Sequence, residues 1–260
     1  MSRQRSSFFF KIFFALLSLT LISCASNKDN KRLAYSHFTL GISYMGQQEF
    51  EKALRELLVA KELDPDNPQI LNHLGLAYYF QKEYEHAIIS LKSSIDKKPT
   101  FSEAHNNLGR VYIDTKDFHQ ARIHLFKAAG DLTYPHKDKV WLNIGLSYFQ
   151  EGQYDEAKRY FLKSISANRN NCLAYNFYGR TLVETEQFKD AAQALDQAIV
   201  HCKDKGLDEP HYFGAIALFR MGFKQKAIAR LQEGKKLFPH GPYRKKIAEM
   251  IELMKITETK

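Results

Sequence analysis

The 260-residue sequence contains little proline, glycine or cysteine, and only one tryptophan. With 7 prolines and 13 glycines, it lacks the low-complexity composition of a disordered chain. Hydrophobic residues make up 44% and charged residues 26% of the chain, which is the balance of a folded soluble protein. The composition therefore predicts a folded protein.

The motifs that carry common enzyme chemistry are also missing. There is no His-Glu-x-x-His zinc motif, no glycine-rich phosphate-binding loop and no Gly-x-Ser-x-Gly nucleophile elbow. The ten histidines are scattered along the chain. We therefore predict that the protein is not an enzyme and takes no cofactor and no metal. An enzyme with a helical-repeat arm for its substrate is the weaker alternative, because the repeats described below leave no room for a catalytic domain.

Acidic side chains are absent from residues 1–23, which include Arg3, Arg5 and Lys11. An apolar run over residues 12–22 follows, and it is shorter than the ~20 residues that a helix needs to span a bilayer. A basic start before a short apolar run is typical of a secretory signal peptide. Without those three basic residues the formal charge falls from +9 to +6. Because this mild excess is spread over many helices, we expect no nucleic-acid partner.

The predicted signal peptide covers residues 1–23, and the apolar run leads into Leu-Ile-Ser-Cys at residues 21–24, which resembles the bacterial lipobox. That resemblance implies cleavage before Cys24, a diacylglycerol on its thiol and an acylated amino terminus. Several acyl chains hold firmly, since each buried methylene adds ~0.8 kcal/mol. The alternative is an ordinary signal peptide that happens to contain a cysteine. Because no aspartate follows Cys24, we predict anchoring in the outer membrane of a Gram-negative bacterium, on its periplasmic face, with residues 24–33 as lipidated cysteine and polar tether.

A pattern of glycine, tyrosine, alanine and a large apolar residue recurs along the rest of the chain. Its glycines are Gly41, Gly75, Gly109, Gly145 and Gly179, at steps of 34, 34, 36 and 34 residues. A tyrosine follows the first four glycines by three residues, an alanine follows every glycine by twelve, and a large apolar residue lies four beyond the alanine. This spacing resembles the tetratricopeptide repeat. We expect the small residues where the two helices of a hairpin cross closely, and the tyrosines and large apolar residues in the gaps between hairpins.

The resemblance implies an all-α fold, a right-handed superhelix (α-solenoid) of about six helical hairpins with a C-terminal capping helix. No hairpin can bury its apolar face alone, so neighbours are expected to stack. Beyond the signal peptide and tether, the predicted domains are the repeats, 34–241, and the capping helix with its tail, 242–260. The repeats are predicted at 34–67, 68–101, 102–137, 138–171, 172–207 and 208–241. A basic helix lying on the membrane surface is the alternative for the last segment.

The two remaining cysteines lie at opposite ends of one predicted hairpin. Cys172 begins the first helix of the fifth repeat and Cys202 ends the second. Antiparallel helices bring these two ends side by side, and export places them in an oxidising compartment. We therefore predict a disulfide between Cys172 and Cys202. Two free, buried thiols are the alternative.

By resemblance to tetratricopeptide arrays, the first helix of each hairpin lines a groove for a protein partner. Apolar groove positions are Phe38, Ile42 and Met45 in the first repeat and Leu76 and Tyr79 in the second. Exposed apolar residues of this kind predict a slot for an apolar strand or helix. The alternative is that they pack against a neighbouring helix or the N-terminal segment.

Further along, the predicted groove becomes polar. Its residues are Asn72, Asn106, Asn107, Asn143 and Asn176, with Arg110 and Arg180. Asparagine both donates and accepts, so such a ladder could pair with a peptide backbone, and arginine could receive a carboxylate. The lysines that complete the carboxylate clamp of chaperone-binding repeats are missing, so we do not predict capture of a C-terminal carboxylate. The alternative for the asparagines is hydrogen bonding between helical turns of the repeats.

A lipobox followed by six repeats and little else resembles the pilotin family of type IV pili. Its members are outer-membrane lipoproteins that help the pilus secretin to insert and multimerise. The resemblance covers the whole chain and implies a membrane-anchored scaffold and chaperone whose partner is a secretin subunit. A lipoprotein adaptor for peptidoglycan enzymes or for outer-membrane protein assembly is the alternative. The oligomeric state is left open.

Overall fold

The structure, a computed structural model, describes residues 28–203 and 206–256. These residues form helices and contain no strand, which confirms the predicted all-α fold class. None of the described helices is both long and apolar enough to cross a membrane. The predicted signal peptide and Cys24 lie outside the described residues.

Twelve helices follow one another as six helix–turn–helix hairpins, each with an A helix and then a B helix. The pairs are α1 (28–46) and α2 (Phe50–Leu63), α3 (Pro68–Phe80) and α4 (Tyr84–Lys97), α5 (Ser102–Asp114) and α6 (Phe118–Gly130), α7 (Lys137–Gln150) and α8 (Tyr154–Ala167), α9 (Cys172–Glu184) and α10 (Phe188–Cys202), α11 (Glu209–Arg220) and α12 (Lys224–Leu237). A last helix, α13, spans Arg244–Ile256. The chain forms two compact units, the first ending at Val111 and the second beginning at Tyr112.

Helix α1 includes residues 28–33, which we predicted as part of the polar tether. Asp29 and Arg32 lie one turn apart on this segment, with 3.7 Å between their charged groups. Ala34 and Phe38 are buried in the first hydrophobic cluster and fix the helix there. Once a helix is fixed, it extends into adjoining polar residues at little cost, so the sequence pattern placed its start too late.

Each turn between an A helix and its B helix contains one residue with a left-handed backbone. These residues are Gln48, Lys82, Lys116, Gly152, Glu186 and Gly222, with φ between 58° and 85°. A side chain makes this conformation unfavourable by roughly 1–2 kcal/mol, yet only two of the six are glycine. Since no residue type marks the position, the sequence did not predict this turn.

The helices of a hairpin cross at the repeated glycine. A Cβ atom added to Gly75 would lie 2.6 Å from Leu91 Cγ, and one added to Gly145 would lie 2.6 Å from the Phe161 ring. The large apolar residue of the repeat therefore packs on the glycine of its own hairpin. The missing glycine side chain opens a space inside the hairpin, which the large residue occupies. The same residue also packs on the next hairpin, as expected from the sequence: the Phe161 ring lies 5.9 Å from that of Phe177 on α9, measured between centroids.

Helix α1 is more exposed than the next A helix, α3. Ser36, Leu40 and Ser43 on α1 occupy the repeat positions of Ile70, Leu74 and Ala77 on α3. The three α3 residues are buried, whereas the three on α1 are exposed. Serine at two of these three exposed α1 positions is compatible with contact with water.

The second unit ends with α13. Its residues Ile247, Ile251 and Met254 are buried against Ala215 of α11 and Leu231 of α12. The apolar stripe of α13 thus covers the last hairpin, which confirms the predicted capping helix.

The disulfide lies in the second unit. The Sγ atoms of Cys172 and Cys202 are bonded, and their Cα atoms lie 5.2 Å apart. This is the pair named from the sequence, and both cysteines are buried. The bond joins the start of α9 to the end of α10.

Substitution of Gly145 by alanine should destabilise the second unit. Phe161 is fully buried, and its ring contacts the rings of Phe149 and Phe177, so it has little room to move. Overpacking costs about 1–3 kcal/mol, against a gain of about 1 kcal/mol in helix propensity. Urea unfolding should show a lower midpoint. Gly130→Ala is the matched control, because a Cβ there meets nothing within 4 Å, and its midpoint should be unchanged or higher. Equal midpoints for both variants would contradict this account of the glycine.

Reduction of the disulfide should also weaken the second unit. The bond closes a loop with a sequence separation of 30 residues, for which the chain-entropy account gives about 3–4 kcal/mol. Dithiothreitol should lower the urea midpoint of the wild type and leave that of the Cys172→Ala, Cys202→Ala double variant unchanged. Unlipidated, unreduced and unfolded chain should show one titratable thiol, that of Cys24. Three thiols would rule the bond out.

Candidate protein-binding surface

The first unit carries an apolar surface on its A helices. Ile42 on α1, Leu76 on α3 and Arg110 on α5 each directly follow the repeat glycine, at steps of 34 residues. Met45 and Tyr79 lie one turn further along α1 and α3, and Phe80 follows Tyr79. We call these six residues the A-helix row. Ile42 and Phe80 are each 39% exposed, and the other four are half-buried.

Neighbouring A helices of the first unit are in direct contact. The ring of Phe38 on α1 meets the ring of His73 on α3, with 5.1 Å between centroids. Asn107 of α5 donates from Nδ2 to Oδ1 of Asn72 on α3 at 2.9 Å. The three helices therefore present the A-helix row as one continuous surface.

Phe38 does not belong to this surface. Its side chain is only 8% exposed and packs in the cluster that contains Leu57, Ile70 and Leu74. The prediction that Phe38 lines the groove is therefore wrong, and the packing alternative holds for this residue. Met45 also packs against the edge of the same cluster, but it keeps part of its side chain accessible.

The asparagines of the first unit are used inside the protein. Asn72 is fully buried; besides accepting from Asn107, it donates to Glu103 Oε1 at 3.2 Å. Asn106 is buried as well. A buried asparagine whose donor and acceptor are satisfied cannot pair with an incoming peptide. The expected peptide-binding ladder is therefore corrected to a structural network within the repeats, the alternative weighed from the sequence.

Arg110 is held by aromatic rings. Its guanidinium carbon lies 4.6 Å from the centroid of Tyr79 and 5.5 Å from that of Phe80. The Phe80 ring in turn stacks on Phe50 at 4.7 Å. Among residues 28–111, the structure gives the Arg110 N–H groups neither a carboxylate nor a hydrogen-bond acceptor. The aromatic support from Phe50 and Phe80 was not predicted, because our groove positions stopped at Tyr79.

In the second unit, Arg180 is neutralised. Its Nη1 lies 2.7 Å from Glu209 Oε1 on α11, and its guanidinium also contacts the rings of Phe149, Phe177 and Phe213. The same Glu209 accepts from Asn176 Nδ2 and from the Tyr243 hydroxyl, each at 2.7 Å. Arg180 and Asn176 were predicted as groove residues, and this is corrected: both are committed to Glu209. Asn143 is also buried.

The pairing of Glu209 with Tyr243 was not predicted from the sequence. Burial first, and the hydrogen bond to Glu209 second, raise the pKa of Tyr243 well above its usual range, so the hydroxyl remains a donor. Its partner lies 34 residues away in sequence, on a different element. Residue types alone do not reveal such a pairing.

His211 is a buried histidine near Cys202 in sequence. It packs against Gly234 and the ring of Phe238. Burial lowers the pKa of His211 below the ordinary value, so its imidazole is neutral at pH 7. This environment is that of a packed core residue.

Comparison with known families identifies the repeat. Profiles described as tetratricopeptide repeat match residues 68–100, 102–129 and 138–171, and one described as TPR repeat matches residues 41–82. The chain carries tetratricopeptide repeats. These repeats are protein-interaction modules that are generally not catalytic, and the A-helix row provides an exposed apolar surface of the kind that partners cover. No curated protein sequence matches the chain.

Several solved structures have the same fold. The Pseudomonas aeruginosa protein pilF is 21% identical, with a TM-score of 0.71, covering 85% of this chain and 99% of that one. PilW, described as a widely conserved type IV pilus biogenesis factor, is 21% identical with a TM-score of 0.75, covering 83% and 98%. The Cut9–Hcn1 hetero-tetramer of the APC/C is 15% identical with a TM-score of 0.73, and the match spans 90% of this chain but only 45% of that one. At these identities the likeness shows the fold.

Substitution of Glu209 by glutamine should destabilise the second unit. It leaves the guanidinium of Arg180, only 20% exposed, without its counter-ion. Removal of one partner of a buried pair costs on the order of 3 kcal/mol. The control is Glu186→Gln, whose partner Arg220 is more than half exposed; an exposed pair contributes little. Urea unfolding should separate the two variants. Similar midpoints would contradict the role assigned to Glu209.

Proposed function

We propose that this protein is a membrane-anchored scaffold and chaperone that promotes outer-membrane insertion and multimerisation of the type IV pilus secretin. The observation that carries the proposal is the A-helix row of the first unit. It combines exposed Ile42 and Phe80 with half-buried Leu76 and Tyr79. An apolar surface on the binding side of a repeat array is suited to covering an apolar segment of another protein.

The repeat architecture and its relatives support this assignment. Matches to pilF and PilW each cover nearly all of the other chain, so the hairpins of this protein correspond to essentially a whole pilus protein of that kind. The lipobox-like residues 21–24 add the expected anchor. Location on the periplasmic face of the outer membrane is part of the proposal and follows from that motif.

The proposed mechanism needs no chemical step. The acyl chains on Cys24 would hold the repeats at the membrane and raise the local concentration of secretin subunits there. The A-helix row would cover apolar surface of a subunit until that surface is buried between subunits of the closed ring. Partner release would then follow from competition for the same apolar surface.

Deletion of the gene should lower the yield of heat-resistant secretin multimers, measured by electrophoresis of unboiled and boiled membranes. Complementation with the wild-type gene should restore the multimers. The Cys24→Ser variant should restore few of them, because it removes the acylated thiol while leaving the repeats intact. Unchanged multimers after deletion would contradict the secretin assignment and favour the adaptor for peptidoglycan enzymes or for outer-membrane protein assembly.

A further inference from the structure

The arginines that follow the repeat glycine have different environments in the two units. Arg180 is paired with Glu209 at 2.7 Å. Arg110, at the equivalent position of its repeat, lies against Tyr79 and Phe80 and has no carboxylate partner among residues 28–111. Glu209 therefore neutralises Arg180 within the second unit, whereas no carboxylate among residues 28–111 pairs with Arg110.

The support of Arg110 orients its donors. A guanidinium that lies over aromatic rings uses its face for those contacts, and its N–H edge remains suited to a planar acceptor such as a carboxylate. Neighbouring apolar side chains exclude water from part of this surface, which strengthens a charge-assisted hydrogen bond. The site therefore favours an anionic group that is attached to an apolar segment.

The rest of the row limits where that anion can come from. Apolar residues Ile42 and Leu76 occupy the equivalent positions on α1 and α3. Asn72 and Asn107, which could have helped to bind a chain terminus, are bonded to each other, and Asn72 also to Glu103. One guanidinium matches the two oxygens of a side-chain carboxylate, whereas the donors for a larger terminal site are already in use.

We propose that the A-helix row binds an apolar peptide segment of a partner protein through one aspartate or glutamate, whose carboxylate pairs with Arg110. Arg180 does not bind the peptide, because its guanidinium is already paired with Glu209. The inference rests on the protein-binding part of the proposed function, and it is independent of whether the partner is the secretin. Charge complementarity selects the occupant: the row offers one cation amid apolar side chains.

A peptide library tests the proposal. The probe is a random octapeptide library with amidated C-termini, so that every carboxylate comes from a side chain, applied to the immobilised full chain. The wild type should enrich apolar peptides that carry one Asp or Glu. Arg110→Gln should retain the apolar preference and lose the acidic one. Arg220→Gln is the matched control: it removes the same charge from an arginine that also lies over a ring, that of Phe188, and it should enrich acids as the wild type does.

The most strongly enriched peptide is then used in a double-mutant cycle, in which its acidic residue and Arg110 are substituted separately and together. Its Gln-substituted copy should bind wild-type protein about tenfold more weakly, as expected for loss of a hydrogen bond to a charged group. Original and substituted peptides should bind Arg110→Gln equally. The peptide-side substitution measures the contact even if the protein variant fails to fold. No acidic enrichment by the wild type, acidic enrichment that survives Arg110→Gln, or equal binding of both peptides to the wild type would overturn the proposal. None of these outcomes changes the secretin multimers measured after gene deletion, so the two proposals fail separately.

Discussion

The two helices of a hairpin can cross closely only where one of them lacks a side chain. At Gly75 and Gly145 the B helix places a large apolar side chain where a Cβ atom would otherwise be. Each hairpin thereby becomes a fixed unit whose apolar sides can be buried by the next one. The A-helix row exists because this pattern repeats every 34 residues in the first unit, which brings equivalent positions of α1, α3 and α5 into line.

Polar groups on the A helices divide into those that hold the structure and those that remain available. Asn72 and Asn176 are fully buried and bonded to Glu103 and Glu209. Leaving such groups without partners in the interior would be costly, so their presence reflects internal pairing. Arg110 differs because aromatic rings, which satisfy no N–H group, provide its contacts within the first unit. The same residue type at equivalent positions thus supports the fold in one unit and offers a charge in the other.

Features that depend on one helix or on two adjacent helices could be predicted from the sequence, whereas contacts between residues far apart in the sequence could not. The hairpins, the capping helix and the pairing partner chosen for Cys172 depend on periodicity and on which ends of two adjacent helices meet. Those relations are local, so a fixed repeat spacing reveals them. Phe38 was misplaced because its repeat position faces the groove in the general pattern, whereas here it packs on Leu57 and Ile70. The same pattern could not show that Glu209 binds Asn176, Arg180 and Tyr243, since that cluster joins four positions spread along the chain.

The helical repeat, its phase and the capping helix could be read from the sequence alone, because they follow from where small and apolar residues recur. Which side chains of the A helices are bonded inside the protein became clear from the packed helices. Burial and charge pairing depend on distances between helices, and the spacing of residue types along one chain does not contain those distances.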